Sequence, residues 1–245
     1  MARYSLHGGH NSIVQGANYG NRKEHIMDRQ VKDAVVAKLR ALGHTVYDDT
    51  DEVGTTQAQN LNNIVSKTNS HDVDLVVSFH LNSYDTNANG VEVLYYDQQA
   101  LSAKIAAQLS KDIGWSNRGA KERKDLYVLA NTKAPAILIE LGFIDNEADM
   151  SKWNPDKIAN SIVYALTEQS GGTTPPSKKN IIQSGAFSPY ETPDVMGALT
   201  SLKMTANFIL QSDGLTYFIS EPTSDAQLKG MTDYLDRKGW WYEVK

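Results

Sequence analysis

The chain has 245 residues, a formal net charge of −5 and no cysteine. A negatively charged chain lacks the basic footprint of nucleic-acid-binding proteins, so we exclude nucleic acid as a partner. The absence of cysteine excludes disulfides, cysteine-liganded zinc and a cysteine nucleophile. The charged fraction of 22% is typical of a globular protein, and no run approaches the ~20 apolar residues of a membrane span, so we expect no membrane partner.

Up to residue 169, strand-like and helix-like segments alternate, which is the pattern of an α/β domain. We predict a mostly parallel, twisted sheet with helices on both faces. The first strand is expected at residues 2–6. Apolar residues then recur at helical spacing from Met27 to Leu42 and are followed by Gly43, which predicts a helix with Glu24 near its first turn.

Two long apolar runs each lead directly into one polar residue. Residues 73–79 precede His80, and residues 136–139 precede Glu140. Such runs predict strands that are covered on both faces. Because open α/β sheets bind ligands in the crevice beyond the carboxyl ends of their strands, we expect His80 and Glu140 at strand ends that border one crevice.

A break in composition divides the chain at residues 170–179, which contain Gly-Gly, Pro-Pro and no core-forming apolar residue. This composition predicts an interdomain linker. Beyond it, residues 180–245 read as strand, helix, strand, strand, helix and strand, with Asp213-Gly214 as a hairpin signal between the middle strands. We therefore predict a small α+β second domain of β-α-β-β-α-β order.

Three separated residues form a donor set that suits a catalytic zinc ion. His10, Glu24 and His80 would supply two imidazoles and one carboxylate, which leaves a fourth position for water. Glu140 has apolar neighbours that would raise the pKa of a carboxyl group by desolvation, as a general base requires. The pattern predicts zinc-assisted amide hydrolysis with Zn²⁺ as the cofactor.

Each of these residues also has an ordinary structural explanation. A single histidine at a strand end is usually just hydrogen-bonded, and an acid near a helix N-terminus is favoured by the helix dipole. The remaining histidines, His7, His25, His44 and His71, are expected to be structural. His7 is the strongest exception because it lies three residues from His10.

Several motifs occur in an order that resembles one known family. They are Gly9-His10, Glu24 and the segments 78–82, 117–121, 126–129 and 139–146. In this respect the chain resembles the zinc-dependent N-acetylmuramoyl-L-alanine amidases called amidase 3. The resemblance implies that His10, Glu24 and His80 bind zinc and that Glu140 is the catalytic acid/base. Many members have Gly-Gly after the first ligand, whereas this chain has Asn11-Ser12.

The same resemblance implies a substrate. It is the amide that joins the lactyl group of N-acetylmuramic acid to L-alanine in peptidoglycan. We predict that Asn82, Arg118 and Lys121 contact the stem peptide or its carboxylates.

The second domain looks like the wall-binding domain of Bacillus-group phage endolysins. The resemblance implies an endolysin with a zinc amidase domain at residues 1–169, a linker at 170–179 and a wall-binding domain at 180–245. Its expected partners are peptidoglycan and a secondary wall polymer of a Gram-positive host, and we expect a monomer. Because residues 1–9 lack the apolar run of a signal peptide, we expect it in the host cytoplasm until its release to the wall.

Two other functions fit the sequence. A zinc peptidase that cuts within the stem peptide would use the same metal chemistry. A noncatalytic wall-binding protein would keep the second domain and lose activity in the first, although an intact Glu140 argues against that function.

Overall fold

The computed structural model describes residues 1–169 and 180–244. These residues fall into two units, one on each side of residues 170–179. The predicted linker lies outside the described residues, so the predicted domain limits stay a prediction. Within the described part of the chain, no helix is both long enough and apolar enough to cross a membrane.

The first unit is built on a mixed sheet. Its strands are β1 (Arg3–Gly8), β2 (Asn18–Tyr19), β3 (Arg22–Lys23), β4 (Thr45–Asp48), β5 (Leu75–Asn82), β6 (Val91–Tyr95), β7 (Asn117–Glu122) and β8 (Ala136–Phe143). Six of them form one sheet in the order β4-β1-β5-β8-β6-β7, while β2 and β3 pair separately. Only β6 and β8 pair antiparallel within that sheet. The predicted mostly parallel sheet is confirmed.

Helices cover both faces of this sheet, as predicted. They are α1 (Glu24–Ala41), α2 (Gln57–Asn69), α3 (Gln99–Ile113), α4 (Tyr127–Asn131), α5 (Glu147–Met150) and α6 (Pro155–Thr167). Val77 and Ile137 belong to the core that includes α1, α3 and α6, whereas Val76 and Leu138 pack with Leu129 of α4. Because side chains alternate along a strand, both faces are buried, which explains the unbroken apolar runs.

The strands of the first unit extend further than the sequence predicts. Strand β5 continues two residues beyond His80 to Asn82, and β8 continues three residues beyond Glu140 to Phe143. Their pairing also continues, from His80↔Glu140 to Asn82↔Phe143 across a register shift. The two polar residues therefore lie near, and not at, the strand ends. Beyond the predicted apolar runs, the backbone hydrogen bonds between β5 and β8 continue both strands.

The second unit has the predicted β-α-β-β-α-β order. Its elements are β9 (Ile182–Ser184), a 3₁₀ turn (Pro189–Glu191), α7 (Thr192–Ser201), β10 (Ala206–Leu210), β11 (Thr216–Ser220), α8 (Asp225–Lys238) and β12 (Tyr242–Val244). The strands form an antiparallel sheet in the order β10-β11-β9-β12. Ser224 and Gln227 form a capping box at the start of α8, which fixes where that helix begins.

The aromatic residues of the second unit divide into core and surface residues. Trp240 stacks on Phe187 with ring centroids 5.0 Å apart, inside the unit's own core. Trp241 and Tyr190 are 64% and 95% exposed. Trp241 and Tyr190 are therefore available at the surface of the second unit.

Candidate metal centre and cavity

Three elements bring His10, Glu24 and His80 together. His10 follows β1, Glu24 is the first residue of α1, and His80 lies on β5. One donor atom of each residue lies within 4.8 Å of the other two. His80 Nδ1 is 2.9 Å from Glu24 Oε1, and His10 Nε2 is 3.6 Å from Glu24 Oε2. The carboxylate thus lies between two imidazoles whose planes are 81° apart.

Backbone donors fix the Glu24 carboxylate. The N–H of Ala17 donates to Oε2 at 2.6 Å, and the N–H of Leu81 donates to Oε1 at 3.1 Å. Burial acts to raise the pKa of Glu24, but its hydrogen bond with His80 and the nearby imidazoles outweigh burial, so this pKa is lowered. Glu24 is therefore ionised, which is the form that binds a metal ion.

The two histidines titrate differently in the metal-free protein. Burial acts to lower the pKa of His80, but the hydrogen bond and charge of Glu24 outweigh it and raise this pKa to about 9. Burial, followed by the charge of His80, lowers the pKa of His10. At neutral pH His80 therefore carries a proton that pairs it with the ionised Glu24, and a metal ion would have to displace this proton.

Two glycines allow the backbone to approach this group closely. A β-carbon on Gly9 would overlap the His80 imidazole. Gly16 has a positive φ of 72°, and a β-carbon there would overlap Glu24 and His10. Both positions therefore exclude larger residues, because the three donor side chains fill the adjacent space.

Glu140 lies beside the group on the same face of the sheet. It is the direct register partner of His80 across β5 and β8. Burial raises its pKa to about 7, although the charge of His80 opposes this shift. Its buried Oε2 has no hydrogen-bond partner among the described residues. A carboxyl group in this state can take up and release a proton near neutral pH.

A cavity of about 390 Å³ opens beside these residues. His10, His80 and Glu140 line it together with Asn60 of α2. Its other wall is mostly apolar and comprises Leu61, Ile64, Leu94, Leu126, Val128 and Leu138. The cavity can therefore hold a substrate against the donor group with part of its surface shielded from water.

The sequence did not predict several polar residues that line the cavity. They are Gln57 and Asn60 of α2, and Arg123, Asp125 and Tyr127 between β7 and the end of α4. Tyr127 belongs to the segment 126–129, one of the motifs that resemble the family, and no other sequence motif indicated this part of the cavity. Arg123 forms an ion pair with Asp125 at 2.8 Å. No sequence motif indicated that Arg123 would line the cavity.

None of the three predicted substrate contacts lines the cavity, and two of them are bonded to a neighbour of Glu140. Glu92, the register partner of Glu140 on β6, accepts from Asn82 Nδ2 at 3.1 Å and from Arg118 Nε at 2.9 Å. Lys121 is exposed on β7. Their contact with substrate stays a prediction.

The other four histidines do not join the donor group. His71 pairs with Asp49 at 3.2 Å, and His44 accepts from the N–H of Ala2 at 3.1 Å. His25 is buried within α1. His7 lines the cavity but is fully buried, and this burial lowers its pKa to about 3.

The donor chemistry of the group decides which metal it can hold. Among the described residues, His10, Glu24 and His80 are the one group of this kind. Two imidazole nitrogens and one carboxylate suit an ion that accepts nitrogen and oxygen ligands and keeps an open position. The unpaired Glu140 Oε2 is a proton acceptor beside that position. The residues present therefore fit a catalytic metal ion.

Comparison with known families matches both units of the chain. The family described as N-acetylmuramoyl-L-alanine amidase matches residues 6–169, and the PlyG cell wall binding domain family matches residues 201–244. The first match covers more than half of the chain. The resemblance seen in the sequence is confirmed for both parts.

Two individual relatives each match about two thirds of the chain, at about 30% sequence identity. An uncharacterized protein of Clostridium perfringens is 32% identical over 180 residues, which cover 68% of this chain and 52% of that protein. The chain thus spans about half the length of this relative. The catalytic domain of the CD27L endolysin targeting Clostridia difficile is 27% identical, with a TM-score of 0.64 over 69% of this chain and 99% of that domain.

A solved structure matches the second unit closely in sequence. The solution structure of the PlyG cell wall binding domain is 88% identical over 30% of this chain and 87% of that domain, with a TM-score of 0.28.

Proposed function

The chain belongs to the N-acetylmuramoyl-L-alanine amidase family, and we propose that it is a zinc-dependent amidase of peptidoglycan. It would cleave the amide between N-acetylmuramic acid and L-alanine. The observation that carries this proposal is the position of Glu140. Its carboxylate, whose Oε2 has no partner among the described residues, lies on the same sheet face as His80, at the cavity that His10 and His80 also line.

His10, Glu24 and His80 would hold the zinc ion. A zinc ion bound there would act as a Lewis acid and lower the pKa of water to about 7. Glu24 is already ionised and held by two backbone N–H groups, so it needs little rearrangement to become a ligand. His80 would lose the proton that pairs it with the ionised Glu24.

Glu140 would move the protons of the reaction. With a pKa raised by burial to about 7, its carboxylate can accept a proton from the attacking water and donate it to the departing nitrogen. The apolar wall of the cavity excludes bulk water from this exchange and strengthens the electrostatic interactions inside.

The second unit would direct the enzyme to its substrate. Its match to a cell wall binding family supports binding to a secondary wall polymer of a Gram-positive host. Together the two units support an endolysin that lyses the host cell. Synthesis in the host cytoplasm, a monomeric state, and contacts of Asn82, Arg118 and Lys121 with the stem peptide stay predictions.

Identification of the new amino terminus tests the proposed reaction. Purified wall is digested with the full-length protein, and the released amino groups are labelled and identified. We expect L-alanine. A different amino-terminal residue would indicate a peptidase that cuts within the stem peptide. No new amino group, despite binding to the wall, would indicate a noncatalytic wall-binding protein.

A further inference from the structure

His10 has an unusual backbone conformation for a residue with a β-carbon. Its φ is +57°, in the left-handed region that favours glycine. Such a conformation costs free energy and persists only where the surroundings hold it in place. Because φ and ψ determine where the side chain points, whatever holds this backbone also determines the direction of the His10 imidazole.

One guanidinium group binds the backbone on both sides of His10. Arg29 Nη1 donates to the carbonyl oxygen of Gly9 at 3.0 Å, and Nη2 donates to that of His10 at 2.9 Å. These two carbonyls belong to the two peptide planes that flank the His10 α-carbon. Their orientations define φ and ψ of His10, so Arg29 constrains both angles at once.

The guanidinium is itself firmly held. Arg29 Nη1 also donates to the carbonyl of His25 at 2.8 Å and pairs with the buried Asp28 at 3.0 Å, while Nε pairs with Glu52 at 2.8 Å. Its side chain is only 16% exposed. A guanidinium group can make this many contacts because it is planar, carries five N–H donors and forms charge-assisted hydrogen bonds.

Arg29 and Glu24 lie on the same helix. The buried residues Val31, Val35 and Leu39 anchor α1 in the core of the first unit, so both polar side chains start from one rigid element. Asn60 also reaches the His10 carbonyl, but at 3.4 Å its bond is weaker. The Asn11 N–H, which lies in the same peptide plane as the His10 carbonyl, donates to the carbonyl of Val14 at 3.0 Å. The Arg29 contacts are the ones that tie both peptide planes of His10 to the helix that carries Glu24.

We infer that Arg29 is a positioning residue of the metal centre, which holds His10 in its left-handed conformation and aims the imidazole at Glu24. The inference rests on the proposed metal-binding role of His10, Glu24 and His80. It assigns to Arg29 a part of the metal affinity, because a preorganised ligand needs no reordering when the ion binds.

The test compares zinc affinity in Arg29→Met, Arg29→Lys and the control Glu52→Gln. Affinity is measured by competition with a chromophoric chelator, and the ligand geometry is followed by the visible spectrum of the Co²⁺-loaded protein. We expect Arg29→Met to bind zinc about 10–100-fold more weakly than the parent and to change the Co²⁺ spectrum. Arg29→Lys should be intermediate, since an ammonium group cannot reach both carbonyls in the same geometry. Glu52→Gln keeps the carbonyl contacts and should bind zinc like the parent.

Thermal unfolding of the metal-free proteins separates positioning from a purely structural role. If Arg29 only stabilises the fold, its variants unfold at lower temperature while the folded molecules bind zinc with parental affinity, and the inference is overturned. If Arg29→Met does not fold, Arg29→Lys decides by the same comparison. A parent protein that takes up no zinc would instead overturn the proposed metal centre, and this inference with it.

Discussion

His80 and Glu140 are direct register partners on the neighbouring parallel strands β5 and β8. Their side chains therefore leave the same face of the sheet side by side. One belongs to the donor group and the other carries an unpaired carboxylate oxygen. This pairing places a proton acceptor next to a proposed metal ligand through backbone hydrogen bonds alone, without any flexible loop between them.

Glu140→Gln should abolish most hydrolysis and leave metal binding intact. The substitution is nearly isosteric and removes only proton transfer, which typically contributes about 10²–10⁴-fold to rate. Release of L-alanine amino termini is measured beside zinc content and thermal unfolding. Glu122→Gln, which changes an exposed carboxylate on β7, is the matched control and should stay active. Near-parental activity of the zinc-loaded Glu140→Gln protein would point to another base.

His80→Ala should lose both zinc and activity, because it removes one of three donors. The matched control is His71→Ala, whose imidazole pairs with Asp49 and stacks on Tyr47, outside the donor group. Metal analysis of the dialysed proteins should find zinc in the control and not in His80→Ala. Stoichiometric zinc with full lytic activity in His80→Ala would refute the ligand assignment.

The apparent zinc affinity should rise with pH until about pH 9. The pKa of His80 is raised to about 9 in the metal-free protein, so below that pH zinc must displace one proton. The same shift stabilises the metal-free fold. That contribution is complete below the ordinary value of 6.5 and is lost as the pH rises through about 9. Chelator competition and unfolding at a series of pH values measure both effects, and an affinity that does not change with pH would contradict the protonated His80–Glu24 pair.

Gly9→Ala should weaken zinc binding and destabilise the fold by about 1–3 kcal/mol, the usual cost of overpacking. The added methyl would overlap the His80 imidazole and force it away from Glu24. Gly197→Ala on α7 is the control, because a β-carbon there meets no atom within 4 Å. Unfolding and zinc titration of the two variants make the comparison. Parental zinc affinity in Gly9→Ala would show that the imidazole can move without loss of binding.

The two units should separate without losing their individual properties, since each has its own hydrophobic core. A fragment of residues 180–245 should bind purified walls. Residues 1–169 should hydrolyse soluble muropeptides but retain little binding to intact walls. Co-sedimentation with walls measures binding, and a fragment carrying Phe218→Asp in its core serves as the unfolded control. A folded fragment that binds no wall attacked by the full protein would contradict the targeting role.

Local patterns predicted the elements that local interactions form. Helix α1 begins at Glu24 and is followed by Gly43 at a φ of 84°, as its spacing and C-terminal signal indicated. The hairpin at Asp213-Gly214 and the order of elements in the second unit were also predicted. Helical periodicity, capping residues and turn glycines are properties of residues that are close in sequence, so they can be recognised from the sequence alone.

Strand ends were predicted less well, and the burial of single side chains could not be predicted, because both depend on distant parts of the chain. Strand β5 passes His80 because β8 continues to pair with it. Trp240 and Trp241 are identical in type and adjacent, yet only Trp240 packs on Phe187. Both precede β12, which begins at Tyr242, and Trp240 packs against the same core as Tyr242 while Trp241 is exposed. Which of the two is buried is decided by the position of that core, to which segments distant in the sequence contribute.

The sequence by itself determined the chemistry available to this protein. The candidate site residues offer two imidazoles and two carboxylates, and the chain has no thiol. These groups limit which metal ion can be bound and which proton transfers can occur. Only the tertiary structure decided that β1, α1, β5 and β8 bring these groups to one cavity and that Gly9 and Gly16 leave room for them. It also decided that Arg29 holds His10 in place. Donor type is a property of each residue, whereas distance and direction arise from pairing and packing between segments far apart in the chain.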